Sequence, residues 1–130
     1  MTTALWCLVI VLVFPLVLAG VGGYFRVRQL GSLDNKNPRV QALELRDVAA
    51  RAYAAQQNAW EALAMFSGAI VVAHVAGVEP GQLATPAVIF VVARILHAVM
   101  YIANLDLART GVFVVGLGCM VRMLWLAGSV

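Results

Sequence analysis

An all-α integral membrane bundle of four spans is the fold class this sequence predicts, and three observations carry it. Of the 130 residues, 63% are hydrophobic and 12% are charged, against about 45–50% and about 25% in ordinary soluble domains. The mean hydropathy of +0.92 means more apolar side chain than the interior of a soluble fold of this length could hide. The apolar residues also gather into four runs, each long enough to cross the ~30 Å hydrocarbon core as helix and parted by polar turns.

The first span, about residues 4–25, carries no charge and includes Pro15, which is expected to kink it; neighbouring helices can tolerate such a kink. No basic residue precedes the run, and Arg26 and Arg28 follow it. A retained span therefore fits better than a cleaved signal peptide. Residues 26–47 form a polar connection in which Gly31–Arg39 is dense in turn formers. An amphipathic helix is expected from Val40 to about Ala55, leading into the second span, about 56–78. Gly77-Val78-Glu79-Pro80-Gly81 ends that span. The third span is about 84–105, and the turn at Asn104–Gly111 leads into a Gly-rich fourth, about 111–130. Six of the nine basic residues lie between Arg26 and Arg51, and Arg109 lies in the third loop. Basic loops are kept on the cytoplasmic side, which predicts an N-out/C-out topology.

Net charge of +3 in such a chain speaks to membrane orientation rather than to nucleic acid. Cys7 and Cys119 sit in apolar runs without CxxC spacing and read as core or lipid-facing residues. His74 and His97, on different spans at different depths, supply no metal coordination set. No Ser–His–carboxylate face and no phosphate loop occurs. Arg122 is expected to snorkel toward the nearer membrane face.

What remains is a set of polar residues inside apolar helices. From Arg51 to Asn58 the helical rotation is about −20°, and from Asn58 to Glu61 about −60°, so the three share one face. Arg94, His97 and Tyr101 follow one another at steps of three and four, again on one face. A charge at mid-membrane costs about 2.5–3.5 kcal/mol on insertion scales and needs a partner or a wet cavity. Glu61 is the one carboxylate within any expected span, so Glu61 and Arg94 are expected to form a buried pair. The bland reading is that these groups merely hold helices together. As a binding set they suit an anionic small molecule with many hydrogen-bonding groups. Arginines clamp carboxylates, Asn and Glu take amide and amino groups, and a Tyr hydroxyl reaches a thiol or oxyanion.

These residues resemble the MAPEG family, the membrane-associated proteins in eicosanoid and glutathione metabolism. The second-helix pattern appears as Arg51-Ala52, Asn58, Glu61 and Phe66, and the third-helix pattern as Arg94, His97 and Tyr101, followed by Arg109. The Asp34–Arg39 loop and the Ala54–Asn58 run are similar to small bacterial members. The resemblance spans essentially the whole chain. It implies a homotrimer in a bacterial inner membrane, with glutathione as co-substrate bound between subunits toward the cytoplasm. It further implies a glutathione-dependent transferase or peroxidase acting on hydrophobic electrophiles or lipid hydroperoxides that arrive from the bilayer. The implied contacts are Arg51, Asn58, Glu61, Arg94, His97 and Tyr101, with Arg109 and Tyr101 as the catalytic pair. Family enzymes usually carry an Arg four residues before the Asn; here that position is Ala54, with Arg51 one turn back on the same face. A non-catalytic lipid binder or scaffold on the same fold is the alternative. A small proton-coupled exporter would be expected to carry its carboxylate in the first helix, which is uncharged here.

Overall fold

A computed structural model describes residues 1–130 and contains five helices and no strand: α1 (Thr3–Leu30), α2 (Pro38–Ala42), α3 (Asp47–Val75), α4 (Pro80–Ile102) and α5 (Asp106–Ala127). All but α2 are long and apolar enough to cross a membrane. At 1.5 Å per residue α1 and α3 reach about 42–44 Å, more than the ~30 Å hydrocarbon core, so both continue past it at the end where the first connection lies. The four pack as an antiparallel bundle in which α1 lies against α3 and α4, and α5 against α4 and α3.

Three helix ends are set by residues that accept a left-handed backbone. Gly31 (φ 82°) closes α1, its N–H donating to the carbonyl of Val27 at 2.9 Å, and Gly77 (φ 84°) follows α3. Asn104 (φ 62°) follows α4; asparagine is among the few residues with a Cβ that take this conformation readily. Its N–H donates to the carbonyl of Tyr101, which fixes the last turn of α4, where that side chain sits. The chain stays helical through Pro15, which is buried.

One expectation fails here. The helix foreseen from Val40 to Ala55 is interrupted: α2 ends at Ala42, Arg46 is extended, and α3 starts at Asp47 with φ 49°. The break is held from α1, because the side-chain oxygen of Gln29 accepts from the N–H of Arg46 at 3.1 Å. Asp47 in the first turn also suits the positive end of α3.

The half of the bundle away from the first connection is an apolar core. Phe66 and Phe90 stack at its centre, with ring centroids 4.2 Å apart and planes 5° from parallel, over Ile70, Met123 and Val11. The inner side of α3 is a stripe of buried alanines, Ala49, Ala52, Ala55, Ala59, Ala62, Ala69 and Ala73. Small side chains at this spacing let helices approach closely, which is how packing is gained where lipid removes the hydrophobic drive.

The first connection is ordered by its own polar groups. The Oδ1 of Asp34 accepts from the N–H of Lys36 (2.8 Å) and of Asn37 (3.0 Å). The side-chain oxygen of Gln41 accepts from the N–H of Asp34, and its amide donates to the carbonyl of Ser32. The backbone N–H groups of Asn37 and then Lys36 hold the Asp34 carboxyl below the usual aspartate range. A depressed folded value means that the contribution is present above the ordinary aspartate pKa and lost as pH falls through the folded one. Hydrogen-exchange protection at Lys36 and Asn37, corrected for intrinsic rates, is therefore expected to drop as pH falls below about 4. In Asp34→Asn, whose amide oxygen still accepts, protection should not vary with pH.

Candidate functional site

Two helices, antiparallel and adjacent, bring the predicted residues together at the end of the bundle where the first and third connections lie. Counting from that end, Arg51 is about 6 Å along α3 and Asn58 about 16 Å, while Tyr101, His97 and Arg94 lie about 2, 8 and 12 Å along α4. The polar groups therefore form a ladder that descends from the bundle end toward its middle.

The deepest rung is Arg94, which is 5% exposed. Its Nη2 donates to both the backbone carbonyl (3.3 Å) and the side-chain Oδ1 of Asn58. The Nδ2 of Asn58 in turn donates to Oε2 of Glu61 at 3.3 Å. The direct Glu61–Arg94 pair expected from charge is thus replaced by a relay through Asn58. Rotation about α3 explains this: Asn58 faces α4, whereas Glu61, about 60° further round, stands on the exposed face. The stem of Arg94 passes beneath Gly116 of α5, where an added Cβ would lie 3.8 Å from its Cδ and 3.7 Å from Phe90. The Nε of Arg94 is buried and has no hydrogen-bond partner.

The middle rung is His97, 4% exposed, packed edge-on to Tyr101 (centroids 5.8 Å) and tilted against Phe113 (6.1 Å). Near the end of the bundle the guanidinium of Arg109 lies over the ring of Tyr101, its Cζ 4.3 Å from the centroid, within the range of cation–π attraction. Arg109 sits in the first turn of α5, so its charge and the positive end of that helix point to the same small volume. Asp106, in the same turn, directs its carboxylate to the N–H of Leu107 (2.9 Å). Arg51 is half-buried, and its Nε donates to the carbonyl of Ile102 at 3.0 Å. The link ties α3 to the end of α4 and satisfies one of the carbonyls that a helix end leaves free. Ala54, one turn on, brings no polar group.

Sequence reading passed over a second polar feature at the same end. A groove of about 330 Å³ between α1, α3 and the first connection is lined by Arg26, Asp34, Arg39, Tyr53 and Gln56 among others. Arg26 donates from Nη1 to the carbonyl of Pro38 (3.2 Å), lies 5.7 Å from the Tyr53 ring centroid, and has a buried Nε without partner. Gln56 lies about 200° round α3 from Asn58, so α3 carries polar groups on two faces. Tyr53, Gln56 and Gln57 share that face at helical steps of three and four; that Arg26 folds back over it depends on the path of the first connection and has no signal in the sequence.

Fold and site together define a multi-pass membrane protein with a polar ladder built into its helices. The model of the MAPEG family matches residues 3–129, and the chain belongs to that family. Comparison with curated proteins and with solved structures gives no match. Membership makes this a membrane protein of the glutathione and eicosanoid metabolism type.

Proposed function

We propose that the protein is a glutathione-dependent transferase or peroxidase acting on hydrophobic electrophiles or lipid hydroperoxides. In this reading glutathione lies between neighbouring copies of a homotrimer, at the cytoplasmic end of an N-out/C-out bundle. The observation that carries it is the relay from buried Arg94 through Asn58 to Glu61, which delivers a carboxylate to an exposed face of a membrane-spanning helix. A carboxylate within a span needs a cover, and a second copy bringing a ligand ammonium group supplies one. The polar groove that holds Arg26 and Gln56, on another face of α3, is suited to complete the site from the neighbouring copy.

The chemistry follows from charge. A free thiol has a pKa of about 8.5, and its thiolate is the nucleophile. Arg109, held over Tyr101 at the start of α5, supplies positive potential that favours the thiolate, and the Tyr101 hydroxyl can donate to the sulfur. With an electrophilic carbon the thiolate forms a C–S bond and expels the leaving group, or the adduct carbon takes up a proton. With a hydroperoxide it attacks the distal oxygen, the O–O bond breaks, and the alkoxide leaves as alcohol after protonation. The sulfenic acid then condenses with a second glutathione to give disulfide and water. The second reading, a lipid-binding member without catalysis, draws on Ala54 and on the use of the Arg51 Nε by the Ile102 carbonyl.

Titration of the detergent-purified protein with glutathione distinguishes the two. Thermal stabilisation and a thiolate absorption band at neutral pH are expected. Glu61→Gln, which keeps an acceptor for Asn58 but loses the charge, should weaken glutathione binding about tenfold, the scale of one charge-assisted hydrogen bond. No shift at millimolar glutathione would refute the enzyme reading.

A further inference from the structure

At the opposite end of the bundle a second groove, of about 510 Å³, opens between α4 and α5. None of the ladder residues lines it. Because the two helices are antiparallel and consecutive, its wall residues pair in depth. Gln82 and Thr85 lie about 3 and 8 Å from the start of α4, and Arg122 lies about 8 Å from the end of α5. One to two turns deeper the walls become Ile89 and Val115. A depression beside it, lined by Ala84, Thr85, Val88 and Ile89, shares Thr85 and Ile89 with the groove and adds apolar wall at the same depth. The groove thus grades from hydrogen-bonding and cationic at the membrane surface to apolar within it.

Arg122 is the charged group of this groove, and it stands on an exposed face of a membrane-spanning helix. No carboxylate lines the groove: Glu79, at the same end, is not among its residues. The nearest companion to its charge is the ring of Trp125, 4.6 Å from the guanidinium carbon. Trp125 is itself 60% exposed, as is usual for an aromatic residue at the depth of lipid head groups. With no carboxylate beside it in the groove, this guanidinium matches a phosphate by charge and by its forked donors.

We infer that this groove binds an anionic phospholipid of the leaflet away from the first connection. Its phosphate lies on Arg122, with Gln82 and Thr85 able to hydrogen-bond the head group, and one acyl chain follows the groove past Ile89 and Val115. The order of polarity along the groove is that of a phospholipid entering a membrane: head outermost, chain below. A soluble anion would use the outer part and leave the apolar walls uncovered.

Native mass spectrometry of the full chain in detergent, titrated with phosphatidylglycerol or with phosphatidylcholine of the same chains, tests this. One retained lipid with a preference for phosphatidylglycerol is expected. Arg122→Gln should reduce that preference about fivefold, the equivalent of the ~1 kcal/mol that one basic residue contributes at an anionic surface, and Arg122→Lys should keep most of it. Ile89→Trp, which fills the apolar end, should weaken both lipids alike. Response to glutathione should be unchanged in all three, because none touches the ladder. Equal binding of the two lipids, an Arg122→Gln protein that still prefers phosphatidylglycerol, or full competition by free glycerol phosphate would each overturn the proposal. So would a change of oligomeric state in Ile89→Trp, which would make the groove a contact between copies.

Discussion

Asn58→Leu should lower the stability of the folded bundle by about 2–3 kcal/mol, the largest effect on folding of any single change within the ladder. The reason is the asymmetry between making and breaking a buried polar contact. Arg94 is 5% exposed, and with Oδ1 removed its guanidinium keeps the Asn58 carbonyl at 3.3 Å as its acceptor. A buried cation deprived of a hydrogen-bond partner costs several kilocalories, whereas removing both partners can be nearly neutral. Arg94→Met, which keeps a long stem beneath Gly116 and also removes the unpartnered Nε, should cost less than about 1 kcal/mol. The double variant should then be about as stable as Arg94→Met alone, giving a coupling of about 2 kcal/mol by double-mutant cycle. Equilibrium unfolding in mixed micelles measures all four proteins. Simple additivity would show that the relay contributes nothing to the fold.

The same relay shows where sequence reasoning reaches and where it stops. Spacing of three, four and seven residues put Arg51, Asn58 and Glu61 on one face, and Arg94, His97 and Tyr101 on another, because helical rotation is fixed by backbone geometry. Charge complementarity then paired Glu61 with Arg94, and the structure corrects this by about 60° of rotation, since Asn58 faces α4 and Glu61 faces outward. Which member of a stripe meets the neighbouring helix depends on the packing angle between helices, and one helix's periodicity does not contain it. The break between α2 and α3 escaped for a similar reason. The amphipathic pattern from Val40 onward is helical in composition, and what interrupts it is a contact from Gln29, 17 residues away. The alanine stripe of α3 was present in plain view, but alanine carries no polarity signal to show that it is an inner face. Arg26 was legible as a loop charge and not as a groove wall, because its position depends on how the first connection folds over α3.

In the proposed glutathione-dependent reaction, Arg109→Ala should reduce the turnover rate at neutral pH by about a hundredfold, the scale of losing one group that stabilises developing or resident negative charge. Binding of glutathione should change little, because the relay at Asn58 and Glu61 is left in place. The loss should appear as a shift in the pH profile. Without the guanidinium the bound thiol returns toward its ordinary value of about 8.5, so the thiolate band vanishes at neutral pH and reappears, with activity, as pH rises through that value. The geometry supplies a control within the same pair. Arg109 lies over the Tyr101 ring with its Cζ 4.3 Å from the centroid, and cation–π contacts of this kind contribute about 0.5–2 kcal/mol. Tyr101→Phe keeps the ring that positions Arg109 and removes only the hydroxyl, so the thiolate band should persist in reduced amount. Tyr101→Leu removes both and should approach Arg109→Ala. Arg109→Lys keeps a charge without the planar stacking and should fall between them. If the band and its pH dependence were the same in Arg109→Ala as in the parent protein, thiol activation would have to be assigned to other residues, and His97 and Arg94, next along the ladder, would be the ones to change.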